Sequence, residues 1–504
     1  MRFLLNLLLV IVLHAPPAIA ETITEQELRA HIAVLASDEF EGRKPGTEGE
    51  NKTVNYIATQ WSQAGVVPGT GNQSWYAPVT LVERFPSAFN AAFAVTSDKQ
   101  QRRQVIPASD IILRAKRERE DILDIPVIFA GYANEKPEEL RRLVSGKLAL
   151  LHMRKPKGRN DLPDYITRKK QLITAGAAAV LSVVEGNVRW SRSTRFFQRS
   201  GTTLEGDQYH GNIEGLIRGD RIRKMLKKAG LHEDQFGIWQ GNPDFRAMDV
   251  PVRIDLSAQT HIRKYASHNV VGKIPGSDPQ SGVILFLGHW DHFGECRIAD
   301  PLNPSKDRIC NGAVDNASGI SLMIEVSRRL AKANLSRDIY FLATTAEEMG
   351  LLGAYAFVDD APFPLDSLIA VFNADTVALA EDGRKIAAIG MGKAGLDDEI
   401  EKVAKQENRE LDRSGKSEVF IQRQDGYAFL EKGIPAYMIT SAFADEVRLK
   451  AFIDGSYHDV GDELNESLLL GGAVDDANFH VALGHYFGST ATYPEKGSSD
   501  IGAN

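Results

Sequence analysis

Cysteine is almost missing from this 504-residue chain; Cys296 and Cys310 are the only two. Two cysteines cannot build a disulfide scaffold, and without a second pair a zinc-thiolate site is disfavoured. They stand fourteen positions apart in one expected loop. In an oxidising compartment such thiols form and keep a bridge. Closing so short a loop would contribute up to about 3 kcal/mol in the chain-entropy account. An excess of positive charge is also missing. Lys and Arg number 59 against 67 Asp and Glu, for a formal net charge of −8, so composition gives no support for a nucleic-acid partner. The apolar run Phe3–Leu13, at 11 residues, is too short to span a bilayer, and no later segment is long and apolar enough to do so. Internal repeats and low-complexity tracts are absent.

What is present reads as an exported, multidomain globular chain. Arg2, the run Phe3–Leu13, the break at Pro16-Pro17 and the small residues Ala18-Ile19-Ala20 form the pattern of a signal peptide over 1–20. No Cys follows that run, which argues against a lipoprotein anchor, and after cleavage no stable membrane insertion is expected. The expected destination is the periplasm or the medium. The length calls for two or three domains.

After the signal, Thr24 and Glu27 fit a capping box, so a helix is expected to about Leu35. A turn-rich stretch, Ser37–Thr47, precedes a second expected helix over Glu48–Ala64. From about 86 to 262 strand-like runs such as Ile125–Phe129 and Leu148–His152 alternate with charged turns, and the helix Lys169–Ala177 leads into a strand Ala178–Val184. The basic run Arg221–Lys228 alternates with Ile222, Met225 and Leu226 and reads as a helix with a solvated face. From Asn269 the pattern becomes α/β. Continuous apolar runs at Val283–Leu287, Asp338–Ala343, Ile369–Phe372 and Ala436–Ile439 suit strands buried on both faces. Helices are expected at Gly319–Ala333, Leu396–Gln406 and Leu468–Tyr486. That alternation predicts a mainly parallel sheet sandwiched between helices. The tail after Tyr493 is rich in Gly and Ser and is expected to be disordered.

In such sheets, sites form at the carboxyl ends of the strands. His289, Glu347, Glu348 and Asp375 each follow one of these runs. Five segments carry the chemistry: Gly288-His289-Trp290-Asp291-His292, Gly312–Gly319 with Asp315, Glu347-Glu348, Asn373-Ala374-Asp375, and Tyr457-His458-Asp459. They offer two imidazoles and three carboxylates for metal, with one carboxylate to spare for proton transfer. That is the inventory of a two-zinc hydrolase, because imidazole nitrogen and carboxylate oxygen are the donors open zinc sites use. Asp291, two residues past His289, is expected to hydrogen-bond the other imidazole nitrogen and fix its tautomer. His292 reads as structural.

The order and setting of these segments resemble the M28 family of zinc peptidases. The resemblance covers about 21–85 and 263–490. Glu347-Glu348 lies between Phe341–Ala346 and Met349–Gly353 as in that family, and the segment from Leu35 to Thr47 resembles the N-terminal part of its secreted members. It implies a discontinuous catalytic domain, 21–85 and 263–495, interrupted at 86–262 by a β-rich insertion resembling a protease-associated domain, with a tail at 496–504. It implies two zinc ions per chain: His289, Asp315 and Asp375 on one, and Asp315, Glu348 and His458 on the other. Asp315 is then the bridge, and Glu347 the general base. The implied activity is exopeptidase action on peptides, foremost as an aminopeptidase. A carboxypeptidase or dipeptidase of the family, a glutaminyl cyclase and a non-catalytic receptor-like module are the alternatives. One departure concerns the pocket. Many members carry Arg-Ser-Asp-His where this chain reads Arg423-Gln424-Asp425-Gly426. The loop closed by Cys296 and Cys310 is a candidate wall of the substrate cleft. Oligomeric state is left open.

Overall fold

The computed structural model describes residues 22–155, 159, 162–185, 189–199, 201–206, 211–232, 242, 245–297, 303, 305–466 and 468–494. The expected signal peptide and C-terminal tail lie outside them. Among the described residues the chain forms two compact units, one from residues up to 77, 268–347 and 353 onward, the other from 78–267 and 348–352.

The first unit holds a mixed sheet whose centre is parallel. The strand Val283–His289 runs between Asp338–Thr344 and Leu368–Asn373, parallel to both, and Ala436–Thr440 extends the parallel set. Antiparallel strands flank the parallel set, Ala387–Ile389 on one side and residues 270–274 on the other, the latter also pairing with Val67–Pro68. Every residue of the four parallel strands is buried, which accounts for their unbroken apolar runs. Phe286, Phe341 and Phe372 share one rung of three neighbouring strands, with ring centroids 5.5 Å apart in both pairs. Helices cover that rung. Trp61 of Glu48–Gln63 packs on Phe341 at 5.9 Å, and Phe487 of Gly471–Gly488 packs on Phe372 at 5.6 Å.

Local signals set the element ends. Thr24 and Glu27 form the reciprocal capping box, and the first helix is Glu25–Leu35. The helix Ser318–Leu330 lies almost wholly inside, and its buried charges Glu325 and Arg329 pair with each other.

In the second unit Arg119–Gly131, Leu148–His152, Ala179–Val184 and Ile213–Arg218 run parallel in that order. The helices Pro137–Val144 and Tyr165–Thr174 connect the first three of these strands. The helix Gly219–Lys228 buries Ile222, Met225 and Leu226, while Arg221 pairs with Asp110 and Arg223 with Glu185. Lys224, Lys227 and Lys228 are exposed, so the rest of its basic face is solvated. The units divide at 77 and 267 rather than at 85 and 262. Both expected boundaries fall inside long strands, Tyr76–Val95 and Met248–Ile274, whose alternating burial carries no break in composition.

Candidate metal centre

The strand Val283–His289 ends on its histidine, so the imidazole emerges at the carboxyl edge of the parallel sheet. Asp375 emerges two residues past the neighbouring strand Leu368–Asn373. Asp315 comes from a turn, Ala313–Ala317, that leads into Ser318–Leu330; its peptide bond to Asn316 is cis. His289, Asp315 and Asp375 are 2%, 4% and 7% exposed, so all three polar groups are withdrawn from water together.

Their atoms converge. His289 Nε2 lies 3.2 Å from Asp315 Oδ1 and 3.6 Å from Asp375 Oδ1. The other oxygen of Asp315, Oδ2, lies 3.2 Å from His458 Nε2. One carboxylate therefore faces two imidazoles, one with each oxygen. His289, Asp315 and Asp375 offer one ligand atom each, all within 4.8 Å of one another. Electrostatics reflects the same crowding. Burial pushes the His289 imidazole down, but Glu347, Asp315 and Asp375 outweigh it and hold it well above the usual histidine range. Burial pushes Asp315 up, and its contacts with His289 and His458 bring it well below the usual carboxylate range. A buried imidazole and two buried carboxylates around a shared point, with the half-buried His458 imidazole on the far oxygen of Asp315, fit a divalent cation with oxygen and nitrogen ligands.

The spare groups are placed as follows. Glu347 opens the short turn Glu347–Met349 just past Asp338–Thr344, and its amide N–H donates to Asp291 Oδ1 at 3.0 Å. Glu348 is next in that turn, in the segment grouped with the second unit. Asp291 departs from expectation. His289 Nδ1 meets the main-chain oxygen of Asp291 at 3.1 Å, while the Asp291 carboxylate is 3.8 Å away. The tight turn brings the carbonyl closer, and the Glu347 amide draws the carboxylate off. His292, read as structural, is fully buried with a ring nitrogen within 4.8 Å of an Asp315 oxygen, so it borders the cluster.

Several residues that hold this geometry lie in or beside the segments singled out in the sequence but had no role assigned there. Asn316 donates to the main-chain oxygens of His289 (3.3 Å) and Ala374 (3.0 Å) and accepts from Gly319 N (2.9 Å) and Thr376 N (3.2 Å). One amide thus ties three ligand loops together. The approach is close enough that a Cβ on Gly319 would stand 2.3 Å from Ala374 O, which explains the glycine there. Asp462 accepts from Val314 N at 2.8 Å and from Asp315 N at 3.1 Å, linking the His458 loop to the bridging turn. Burial pushes its carboxyl up to about 7, the two amides acting against and the Asp315 charge adding. Arg43, 1% exposed, donates to the main-chain oxygens of Leu35, Trp290, Asn311 and Gly312. It pins the N-terminal segment onto two ligand loops. Gln424 and Asp425 turn inward: Gln424 accepts from Asn373 Nδ2 at 3.0 Å, and Asp425 accepts from the Thr344 hydroxyl. Burial pushes Asp425 up to about 6. Cys296 and Cys310 form the expected disulfide, and the hairpin Gly294-Glu295 with Ile309-Cys310 lies between His292 and Asp315 in the chain.

The aminopeptidase YwaD of Bacillus subtilis is 34% identical over 255 residues, covering 50% of this chain and 44% of that protein. The probable leucine aminopeptidase 2 of Aspergillus oryzae is 26% identical over 300 residues, covering 58% and 51%. The chain thus spans about half the length of these curated relatives, and less of others: it covers 17% of a probable zinc metalloprotease of Pyrenophora tritici-repentis, at 38% identity. In fold, the chain is similar to the solved structure of an aminopeptidase from Aneurinibacillus sp. strain AM-1, with a TM-score of 0.51 over 91% of this chain and 93% of that one at 16% identity. The family model of peptidase family M28 matches residues 269–475, a span that holds every candidate metal ligand.

Proposed function

We propose that the chain is an exported zinc-dependent exopeptidase that removes N-terminal residues from peptides. The observation that carries this reading is Asp315, whose two oxygens each face a different histidine at 3.2 Å, as a carboxylate shared by two metal ions would. His289, Asp315 and Asp375 would hold one zinc, and Asp315, Glu348 and His458 the second. Bound zinc supplies Lewis acidity, lowering the pKa of a water and polarising a carbonyl. The chain's own residues do the rest. Glu347, fixed through its amide by Asp291, takes the proton of the attacking water and returns it to the leaving amine. The main-chain oxygen of Asp291 holds His289 Nδ1 and so directs Nε2 toward Asp315 and Asp375. Export is supported by the signal-like residues 1–20 and by the disulfide, which suits an oxidising compartment. We read the second unit as a protease-associated-type insertion, a reading supported by its strand–helix–strand order.

The test is hydrolysis of paired peptides, each with a free and an acetylated N-terminus, by the zinc-loaded chain. Cleavage of the free-amine set alone is expected. The Glu347→Ala variant should lose about 10²–10⁴-fold in kcat, the usual range for a general base. Cleavage of acetylated peptides from the carboxyl end would instead make it a carboxypeptidase, and cleavage of neither set would overturn the peptidase reading.

A further inference from the structure

The stretch Arg423-Gln424-Asp425 departs from the family pattern at its second position, and its first residue points away from the other two. Gln424 and Asp425 are buried; Arg423 is exposed. Its guanidinium donates to the Tyr457 hydroxyl at 3.1 Å and lies over the rings of Phe420 and Tyr457, 5.4 and 5.9 Å from their centroids. The Tyr457 ring in turn stacks on the His458 imidazole, with centroids 3.6 Å apart at 28°. A fixed cation therefore stands one aromatic ring away from a metal-site histidine. Among the described residues no carboxylate pairs with it. Arg297 shows the contrast, since Asp459, the residue after His458, pairs with it.

We propose that Arg423 is a specificity residue that takes a substrate carboxylate at the rim of the metal site. This rests on the reading of that site as a peptidase centre. A guanidinium presents a planar fork that matches a carboxylate with two parallel hydrogen bonds. The Tyr457 hydroxyl and the two rings already restrict the side chain, so little freedom is left to lose on binding. Reach selects the substrate class. In a dipeptide the free carboxylate sits one residue past the scissile bond, with consecutive Cα atoms about 3.8 Å apart. A cation one ring from His458 suits that short span and does not suit the carboxyl end of a long peptide. The favoured substrates are dipeptides with a free C-terminus, or peptides with an acidic side chain just after the cleaved residue.

The experiment compares kcat/KM for Ala-Ala, Ala-Ala amide and Ala-Glu amide in the zinc-loaded wild type, Arg423→Gln and Arg423→Lys. The wild type should prefer the free acid over the amide by about tenfold, an effect of about 1.4 kcal/mol. In Arg423→Gln that ratio should fall toward one, chiefly through KM, and Arg423→Lys should restore part of it. A matching preference for Ala-Glu amide would identify a side-chain carboxylate as the ligand; its absence would restrict the site to a free C-terminus. If the wild type cleaves the amides but the ratio is the same in all three proteins, the role of Arg423 is overturned while the peptidase reading stands. If nothing is cleaved, the peptidase reading falls, and calorimetric titration of the same acid and amide decides the site: equal Kd values would remove it, and tighter binding of the acid, lost in Arg423→Gln, would support it.

Discussion

Asp462 holds no metal in this scheme, yet its two oxygens fix where Asp315 sits, through the amides of Val314 and Asp315. An asparagine at 462 has one acceptor for those two donors and turns its NH2 group toward the other. Groups that orient metal ligands from behind are typically worth about 10–100-fold in metal affinity or activity. Asp462→Asn should therefore release zinc at a chelator concentration lower by about that factor, read by competition with a chromogenic chelator; unchanged retention would mean that the turn is held by other contacts. Arg43 acts on the same loops through stability. Removing its guanidinium takes a donor from four buried carbonyls, of which Gly312 keeps the Ala317 amide, and an unpaired buried polar group costs about 1–3 kcal/mol. Arg43→Ala should lower the urea midpoint by the equivalent of about 3 kcal/mol or more, partly relieved where water enters. Such residues could not be picked out from the sequence. A lone Arg in a turn or an Asp four places past a histidine is common, and only the folded chain brings Arg43 beside Asn311 or Asp462 beside Val314. His289, Glu347, Glu348 and Asp375 could be picked out as candidates because each sits just past an apolar run that reads as a strand, whereas Asp315 and His458 follow no such run and rested on the family resemblance.

At the scale of elements, the helix Gly471–Gly488 carries two buried titrating groups one turn apart. Asp476 accepts from the amide and the hydroxyl of Ser441, and His480 Nδ1 bonds to the main-chain oxygen of Asp476 at 2.7 Å. Burial pushes Asp476 up to about 7, from an ordinary 3.8, and His480 down to about 4, from 6.5. Their signs oppose. The raised carboxyl contributes stability that is fully present below its unfolded value and is lost as pH rises through about 7. The depressed imidazole contributes stability that is present above its unfolded value and is lost as pH falls through about 4. Between those limits the two partly cancel on one helix. Asp476→Asn should therefore make the chain lose stability more steeply on acidification from pH 7 toward 4, and His480→Gln should make the loss shallower. Urea midpoints taken across that range decide it; parallel curves for both variants and the wild type would sink the argument. This helix was expected over Leu468–Tyr486 and starts three residues later, since Leu469 is engaged in a bridge with Leu379 instead. The full length of the strands Tyr76–Val95 and Met248–Ile274 was not legible, because prolines, charges and small residues interrupt their sequences and strand length is set by the partners along the edge, which composition does not disclose.

For the molecule as a whole, the same buried carboxylates that make the centre a good cation site make it a poor one to fold without a cation. Asp315 and Asp375 are withdrawn from water beside Glu347, and the compensating charge inside the cluster comes from two imidazoles. A cation that binds the folded chain and not the unfolded one adds RT ln(1 + [L]/Kd), about 2.7 kcal/mol per site at a hundredfold excess over Kd. The thermal midpoint of the unit that carries the centre should accordingly fall on removal of metal by a chelator and recover when zinc is restored. The disulfide provides the internal comparison. It closes a loop of fourteen positions between His292 and Asp315, and a bridge over a loop of that size contributes about 3 kcal/mol whether or not metal is present. Replacing both cysteines by serine should lower the midpoint with and without zinc, whereas Asp315→Asn should abolish most of the difference between the two conditions. Calorimetric scans of the three proteins, each with zinc and with chelator, separate the contributions. A chelator-induced drop that survives Asp315→Asn intact would place the stabilising cation elsewhere in the chain and remove Asp315 from the bridging role.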